Sequence, residues 1–384
     1  MARMRVALVN RLAGIHRGGG EVYDLSLAAA LRRLGVDVEI VTGRPSLRKP
    51  PAPVVEVSSL YARSPYLRAA AHRLGRAGWR LFDLDLRLFE RAAYGRIAAA
   101  RPPFDLVQVT GLPRLARRIE VEGRTPVVLL FPGPPSIRHR EEVRACRTVV
   151  GVGAVTPYLK ENFREDVHDM TAGVETSLFR PDAPSARADL GIDDGALVVI
   201  YAGRLVPLKN LPLLVEAFAG IRREIPAARL LVVGGGPLRG ELHAEARRAG
   251  LSVGRRGDEG CAIVDAGEAP HVRMPSFYTA ADLLLLSSLN ESFSLVALEA
   301  MACGVCVLVP AVGYLPRLVA DGVTGVLYPA GDARALVAAA VSVLNDPGRR
   351  RRIGAEARRA ALGRHSWDAV AAEFAALYRK VLGR

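Results

Sequence analysis

The hydrophobic positions form short continuous runs that are separated by segments with helical periodicity. Runs of this kind without apolar–polar alternation, with helices between them, are typical of a parallel sheet covered on both faces. A helix is predicted at Glu21–Leu34, where Gly35 ends it. The strands predicted in the first half are Arg5–Val9, Val36–Thr42, Asp105–Thr110, Pro126–Phe131 and Thr148–Val152.

A second set of runs begins near residue 197 and repeats this arrangement, which predicts two doubly wound α/β domains facing each other across a cleft. We expect residues 1–178 to form the first domain, completed by an amphipathic C-terminal helix at 366–384, and residues 179–365 to form the second. Ligands of such sheets bind at the carboxyl ends of the strands. The second set of predicted strands is Leu197–Ala202, Arg229–Val233, Leu283–Ser287, Val305–Val309 and Gly325–Tyr328.

The composition is that of a globular protein, because half of the 384 residues are hydrophobic. The chain is long enough to form two domains, each with its own hydrophobic core. The apolar runs are too short for a membrane span or a signal peptide, so we expect a cytoplasmic protein. The net charge of +14 comes almost wholly from arginine, since lysine occurs only four times. These arginines are scattered without interleaved aromatics, which disfavours nucleic-acid binding and leaves an anionic ligand or an acidic membrane surface open.

Two short motifs raise the question of a metal site. Cys303 and Cys306 form a C-x-x-C pair, but the remaining cysteines are isolated, and the flanking residues favour small core side chains. Asp83 and Asp85 form a D-x-D inside an arginine-rich helical stretch, which favours a solvated helix face. No metal site is therefore predicted.

Glu291 and Glu299 lie eight positions apart across a loop and the start of an apolar helix. A carboxylate in apolar surroundings is costly without a partner, and a polyol ligand supplies hydroxyl groups that a carboxylate accepts. The amides of Ser294, Leu295 and Val296 would then face an anion at the helix start. The alternative is an acid that favours the helix dipole, together with a glutamate paired inside the core.

Basic and glycine-rich loops follow several of the predicted strands. Arg204 and Lys209 follow one strand and are candidates for clamping two phosphates, which we favour over a solvated basic loop. Gly18-Gly19-Gly20 precedes the first helix, and Gly234-Gly235-Gly236 ends a strand. Each glycine turn is equally compatible with close approach to a ligand and with a structural turn.

Taken together, the segments GGGE, AGVETSLFRP, YAGRLVPLKNLPLLVEAF, LLVVGGGPLRGEL and NESFSLVALEAMACGVCVLV resemble retaining GT-B glycosyltransferases of family four in identity and order. The resemblance covers nearly the whole chain and is most specific in the second half. It implies two Rossmann-like domains and a nucleotide-sugar donor held mainly by the second domain. It also implies that Arg204 and Lys209 bind the donor diphosphate, Glu291 binds the donor sugar and Glu299 binds the ribose.

The resemblance further implies that the C-terminal helix returns to the first domain and that Gly18 and Gly19 approach the phosphates or the acceptor. It implies no metal and no cofactor beyond the nucleotide sugar, with UDP or GDP as the nucleotide. The catalytic candidates are Glu291, Arg204 and Lys209. The motifs and the resemblance together give as donor-binding candidates Gly18, Gly19, Gly203, Arg204, Lys209, Gly234, Glu291, Ser292, Phe293, Ser294, Leu295, Val296 and Glu299.

Several positions depart from the family pattern. Gln108, Thr110 and Pro132 stand where the family often has histidines, and serines 292 and 294 replace glycines beside the first glutamate. These departures leave the identity of the sugar open, and a donor without the usual 6-hydroxyl is one hypothesis. The retained motifs predict a retaining glycosyltransferase acting on a small polar or natural-product acceptor. The alternatives are a peripheral enzyme of the inner membrane with a lipid-linked acceptor, and a non-catalytic donor-binding subunit; the oligomeric state stays open.

Overall fold

The computed structural model describes residues 3–13, 19–43, 54–57 and 76–384. The chain divides into two compact units, which we call unit 1 (Met1–Gly173 and Trp367–Arg384) and unit 2 (Val174–Ser366). Each unit contains a parallel seven-stranded sheet among its described residues, with helices packed against it. The predicted α/β fold class is confirmed.

In unit 1 the strand order is β3-β2-β1-β4-β5-β6-β7. The strands are β1 Arg5–Val9, β2 Asp37–Gly43, β3 Val54–Val57, β4 Leu106–Thr110, β5 Val127–Phe131, β6 Thr148–Val152 and β7 Val167–Met170. The described helices are α1 Gly19–Arg33, α2 Arg76–Ala98, α3 Pro113–Glu122, α4 Arg140–Ala145, α5 Val155–Asn162 and, at the C-terminus, α14 Trp367–Val381. The helix α14 packs on α1, where the ring of Trp367 meets Tyr23 edge-on at 5.1 Å.

In unit 2 the order is β10-β11-β9-β8-β12-β13-β14. The strands are β8 Val198–Ala202, β9 Arg229–Val233, β10 Val253–Arg255, β11 Ile263–Gly267, β12 Leu283–Leu285, β13 Cys306–Pro310 and β14 Val326–Tyr328. The helices are α6 Arg187–Leu190, α7 Leu211–Glu224, α8 Arg239–Arg248, α9 Met274–Tyr278, α10 Leu295–Ala302, α11 Leu315–Leu318, α12 Ala333–Leu344 and α13 Pro347–Arg364. In both units the first strand in the chain lies near the middle of the sheet, so loops from both sides converge at its carboxyl end.

All ten predicted strands are present, with ends that differ by at most two residues. Among the described residues, the hydrophobic pattern missed four strands, β3, β7, β10 and β11. Each is short and carries polar residues or glycine, as in Val167-His168-Asp169-Met170 of β7. In the described part of the chain, every helix is too short or too polar to cross a bilayer.

The interpretation of Cys303 and Cys306 as core residues is confirmed. Both thiols are free and buried beside strand β13. Burial raises the pKa of each thiol to about 12, because the thiolate loses its hydration. Both thiols therefore stay protonated near neutral pH.

The prediction of a solvated face for Asp83 and Asp85 is wrong at Asp85. Asp83 is partly exposed and pairs with Arg87 at 2.8 Å, whereas the side chain of Asp85 is only 2% exposed. Its carboxylate lies 2.7 Å from the guanidinium of Arg11, which follows strand β1. This partner is 74 positions away in the chain, so local helical periodicity gives no sign of it.

Candidate functional site

Three loops meet at the carboxyl edge of the sheet in unit 2. They follow β8, β9 and β12, which are neighbours in this parallel sheet and therefore end at the same edge. The amide of Leu205 donates to the carbonyl of Gly235 at 2.8 Å, and the amide of Leu289 donates to the carbonyl of Leu208 at 2.9 Å. The β8 loop is thus joined to both of its neighbours by backbone hydrogen bonds.

The glycine turn after β9 is required by this packing. Gly234 has φ +151°, and a Cβ atom there would lie 1.8 Å from the carbonyl oxygen of Gly203. The backbone of the two loops therefore makes direct contact, which only glycine permits. The structure thus supplies a structural reason for Gly234.

Lys209 and Glu291 form an ion pair at the carboxyl ends of the strands in unit 2. Lys209 ends a 3-10 turn after β8, and its ammonium lies 2.5 Å from Glu291 Oε1, which also accepts a hydrogen bond from the hydroxyl of Ser288 at 2.8 Å. The side chains are 17% and 9% exposed. Ser287 fixes the turn from below by donating its hydroxyl to the carbonyl of Lys209 at 2.7 Å. The pair is therefore held from both sides and remains in partial contact with solvent.

Arg204 lies on the same loop as Lys209 but is more exposed. Its side chain is exposed and makes no ion pair with any residue that the structure describes. Its backbone is fixed, because the buried hydroxyl of Tyr201 donates to the carbonyl of Arg204 at 3.0 Å. The edge thus presents one guanidinium whose hydrogen-bond donors face solvent.

Glu299 is buried in helix α10, and the protein itself supplies two partners. The Nε2 atom of His271 lies 2.8 Å from Glu299 Oε1, and the hydroxyl of Tyr278 donates to Oε2 at 2.8 Å. The hydrogen bond to Glu299 raises the pKa of His271, against burial, which lowers it. Burial and the Glu299 charge raise the pKa of Tyr278 well above its usual value. These contacts compensate for the burial of the Glu299 carboxylate.

Helix α10 begins beside the ion pair. Ser294 has φ +75°, and its side chain does not cap the helix. The ring of Phe293 stacks on Tyr314 at 4.9 Å, whereas Ser292 is exposed and Leu295 and Val296 are partly exposed. The first-turn amides of an α-helix have no partner within the helix, so they are available to an anion.

The turn after β13 packs against the loop that carries Glu291. The amide of Tyr314 donates to the carbonyl of Glu291 at 3.0 Å. Gly313 has φ +54°, and a Cβ atom there would lie 1.9 Å from that carbonyl oxygen. The backbone of Glu291 is therefore fixed independently of its side chain.

The structure brings some of the predicted residues together and separates others. Glu291 and Lys209 are in contact, but Glu299 is engaged by His271 and Tyr278 rather than by either of them. In unit 1, Gly19 begins helix α1, and Gly18 lies outside the described residues. Ser288, His271 and Tyr278 were missed from the sequence, where only the cost of burying Glu299 signalled that donors were needed.

Two of the replaced histidine positions lie on strand β4 in unit 1. The side chain of Gln108 is buried, accepts a hydrogen bond from the Tyr378 hydroxyl at 2.7 Å and donates to Asp24 at 3.3 Å. The hydroxyl oxygen of Thr110 is buried at the carboxyl end of the same strand, and no residue in the described part of the chain forms a hydrogen bond with it. Gln108 thus connects Asp24 of helix α1 to Tyr378 of the C-terminal helix through hydrogen bonds. The hydroxyl group of Thr110 remains able to form a hydrogen bond.

Several known proteins are similar to this chain in sequence. The model of the family described as glycosyl transferases group 1 matches residues 182–360. A D-inositol 3-phosphate glycosyltransferase from Segniliparus rotundus is 32% identical over 392 residues, covering 95% of this chain and 85% of that protein. The chain belongs to the glycosyl transferases group 1 family. A group 1 relative of the same name from Kineococcus radiotolerans is also 32% identical, over 95% of this chain and 91% of that protein.

Solved structures establish the fold of this group 1 member. The sucrose-phosphate synthase from Thermosynechococcus elongatus has a TM-score of 0.80 at 23% identity, covering 99% of this chain and 100% of that one. The Anabaena protein HepE in complex with UDP and glucose has a TM-score of 0.71 at 19% identity, covering 98% and 99%. The predicted GT-B fold and the resemblance to glycosyltransferases are confirmed, so the protein is a glycosyltransferase.

Proposed function

We propose that this glycosyltransferase moves a sugar, with retention of configuration, from a nucleotide-diphosphate sugar to a hydroxyl group of a small polar acceptor. UDP or GDP is the nucleotide. The observation that carries the proposal is the 2.5 Å contact between Lys209 and Glu291 at the carboxyl edge of the unit 2 sheet. Open α/β sheets bind their ligands at this edge.

Lys209 and Arg204 are the proposed diphosphate ligands. An ammonium group has three donors, so Lys209 can keep its contact with Glu291 while it donates to a phosphate oxygen. The exposed guanidinium of Arg204 supplies a forked set of donors to a second oxygen. The two cations thereby offset the charge that builds up on the departing diphosphate.

Glu291 is the proposed ligand of the donor sugar. Its Oε1 atom is occupied by Lys209 and Ser288, so its other oxygen is the one offered to sugar hydroxyls. A carboxylate accepts such hydrogen bonds strongly because it is charged. The first-turn amides of Leu295 and Val296 then face the phosphate next to the sugar.

Glu299 is the proposed ligand of the ribose. Its two oxygens are already held by His271 and Tyr278, yet each carboxylate oxygen can accept more than one hydrogen bond. A ribose hydroxyl therefore joins this network rather than replacing it. His271 and Tyr278 act as positioning residues that hold the carboxylate in one rotamer.

The proposed reaction needs no protein nucleophile. The acceptor oxygen forms a bond to the anomeric carbon on the face from which the diphosphate leaves, and the leaving phosphate oxygen takes the acceptor proton. Lys209, Arg204 and the helix amides stabilise the leaving group. We propose that a divalent metal is not required, and unchanged turnover after treatment with EDTA is the expected result.

The choice of a small polar acceptor rests on the relatives. The relatives from Segniliparus rotundus and Kineococcus radiotolerans are named for D-inositol 3-phosphate, a small polar molecule. In unit 1 the unpartnered hydroxyl of Thr110 offers a hydrogen bond at the carboxyl end of β4. Both observations support an acceptor with several hydroxyl groups.

A membrane-surface acceptor is the second candidate, favoured by one feature of helix α2. Leu84 and Leu88 are 49% and 38% exposed and lie one turn apart, beside the exposed Arg87 and Arg91. Exposed leucines flanked by arginines suit the surface of anionic lipid. Sedimentation with anionic liposomes at low salt tests this candidate, and the absence of co-sedimentation removes it.

A thermal-shift screen followed by a transfer assay tests the proposal. A panel of UDP and GDP sugars, including 6-deoxy sugars, is expected to contain one that raises the melting temperature, because a ligand of the folded state stabilises it.

That donor should then support transfer or slow hydrolysis with wild-type protein and with the exposed control Glu259→Gln. Loss of both reactions in Lys209→Ala and Glu291→Gln, but not in the control, is expected. Full activity of these two variants would contradict the proposal, and a wild type that binds but never transfers would indicate a non-catalytic subunit.

A further inference from the structure

Unit 1 contains a cavity at the amino ends of two strands of its sheet. This cavity of about 680 Å³ opens between the end of helix α3, the first residues of β5 and β6, and Val381 at the end of α14. Its volume is within the range of about 300–1,000 Å³ that is usual for small-molecule sites. It borders the amino ends of the strands, whereas the ligands of open α/β sheets bind at the carboxyl ends.

Three arginines from different elements line this cavity. Arg117 lies on α3, Arg124 lies in the following loop, and Arg147 lies directly before β6. The guanidinium groups of Arg124 and Arg147 form no ion pair or hydrogen bond with a residue that the structure describes. Guanidinium groups bind phosphate through pairs of parallel hydrogen bonds, so three of them around one space favour a dianion.

Glu120 gives the same cavity a buried acceptor. Its side chain is only 4% exposed, and its Oε1 atom accepts the backbone amide of Arg147 at 3.2 Å. Its Oε2 atom is buried without a hydrogen-bond partner among the described residues, and the guanidinium of Arg117 lies 3.8 Å away. Burial raises the pKa of Glu120, although the Arg147 amide and the nearby arginines oppose this effect.

A buried carboxylate oxygen without a hydrogen-bond donor is an unusual feature, because the ion pair with Arg117 at 3.8 Å replaces the lost hydration only in part. At the wall of a cavity, a ligand hydroxyl group would supply the missing hydrogen bond. A hydroxyl group and a phosphate group on the same small molecule would satisfy Glu120 and the arginines together.

We propose that this cavity binds a small phosphate ester of a polyol. Arg117, Arg124 and Arg147 hold the phosphate group, and Glu120 accepts a hydrogen bond from a hydroxyl group of the ligand. The site lies wholly within unit 1 and does not depend on the role of Lys209 and Glu291. It is therefore a second ligand site, additional to the donor site.

Calorimetric titration of the full chain tests the proposal at an ionic strength of about 0.15 M, where weak surface charge pairing is screened. The probes are glucose 6-phosphate, inorganic phosphate and glucose. We expect saturable binding of glucose 6-phosphate, weaker binding of inorganic phosphate and no binding of glucose. No saturable binding of glucose 6-phosphate would overturn the proposal.

Variants locate the binding. Arg124→Ala and Arg147→Ala should each weaken glucose 6-phosphate binding about tenfold or more, because each removes a charge-assisted contact. Arg118→Ala is the matched control, since Arg118 lies beside Arg117 on helix α3 but pairs with Glu122 and does not line the cavity, and it should retain wild-type affinity. Equal weakening by all three variants would overturn the proposal. Binding that is lost in Lys209→Ala and kept in Arg147→Ala would do so as well.

A conservative change at Glu120 separates the roles of the phosphate and hydroxyl groups. Glu120→Gln keeps the acceptor for the Arg147 amide, removes the negative charge and replaces the free acceptor by a donor. Inorganic phosphate should bind more tightly to this variant, and the preference for glucose 6-phosphate over inorganic phosphate should fall. An unchanged preference would overturn the assignment of Glu120.

Discussion

Lys209 and Glu291 are 82 positions apart in the chain, yet the ammonium of one lies 2.5 Å from the carboxylate of the other. The loops after β8 and β12 bring them together, because these strands are neighbours in the sheet. Ser288 holds the carboxylate of Glu291, and Ser287 holds the backbone of the Lys209 turn, so both partners of the pair are fixed by the protein itself. Preorganised charge of this kind stabilises a leaving group without reorganisation during the reaction.

The first prediction concerns the stability of this pair. Lys209→Met leaves a largely buried carboxylate without its cation, so the free energy of unfolding should fall by about 2 kcal/mol. Adding Glu291→Gln removes the uncompensated charge and should recover about half of that loss. Urea unfolding of the single and double variants measures both values. If the double variant loses as much stability as the two single variants together, or more, a direct interaction is contradicted.

The second prediction concerns Tyr278 as a positioning residue for Glu299. Tyr278→Phe removes the hydroxyl group that donates a hydrogen bond to Glu299 Oε2. The KM for the nucleotide sugar should therefore rise about tenfold while kcat changes little. Tyr328→Phe is the control, because it removes a buried tyrosine hydroxyl that donates to the carbonyl of Leu286 in the same unit. Both variants should lose similar stability, but only Tyr278→Phe should change KM in steady-state kinetics. A purely structural role would give the same kinetics for both.

The third prediction concerns the pH dependence of stability through His271. Its pKa is raised above the ordinary value of 6.5 by the hydrogen bond to Glu299. A raised pKa in the folded state means that the stabilisation is fully present below the unfolded-state pKa and is lost as pH rises through the folded-state pKa. Wild type should therefore exceed His271→Gln in stability most clearly below about pH 6, and the difference should shrink as the pH rises through the raised folded-state pKa. Unfolding curves at several pH values measure it, and a constant difference would refute the assignment.

The fourth prediction concerns Gly234. Gly234→Ala adds a Cβ atom that would meet the Gly203 carbonyl oxygen at 1.8 Å, so the loss of stability should exceed about 3 kcal/mol. Gly250→Ala is the control, because Gly250 also has positive φ, at +73°, but has open space around it. Only left-handed strain of about 1 kcal/mol is expected there. Equal losses in thermal or urea unfolding would show that the close contact of the two loops is not essential.

The sequence predicted the sheets well, because buried parallel strands carry strong apolar runs. It missed β7 and β10, whose residues are largely polar or glycine. Among the side chains that cluster at this end of the unit 2 sheet, the sequence singled out both glutamates and Lys209 as candidates but not His271 or Tyr278, since spacing along the chain does not reveal partners 21 to 28 positions away. Asp85 was misjudged for the same reason, because Arg11 reaches it from another element.

In the proposed donor site, Lys209 binds the donor phosphates and Glu291 binds the donor sugar. Calorimetric titration with the selected nucleotide sugar and with its free nucleoside diphosphate distinguishes the two roles. We predict that Lys209→Ala weakens both ligands about tenfold or more, whereas Glu291→Gln weakens only the nucleotide sugar, because it removes contacts to the sugar alone. Wild-type affinity of both variants for the nucleotide sugar, or equal weakening of both ligands by Glu291→Gln, would contradict the account.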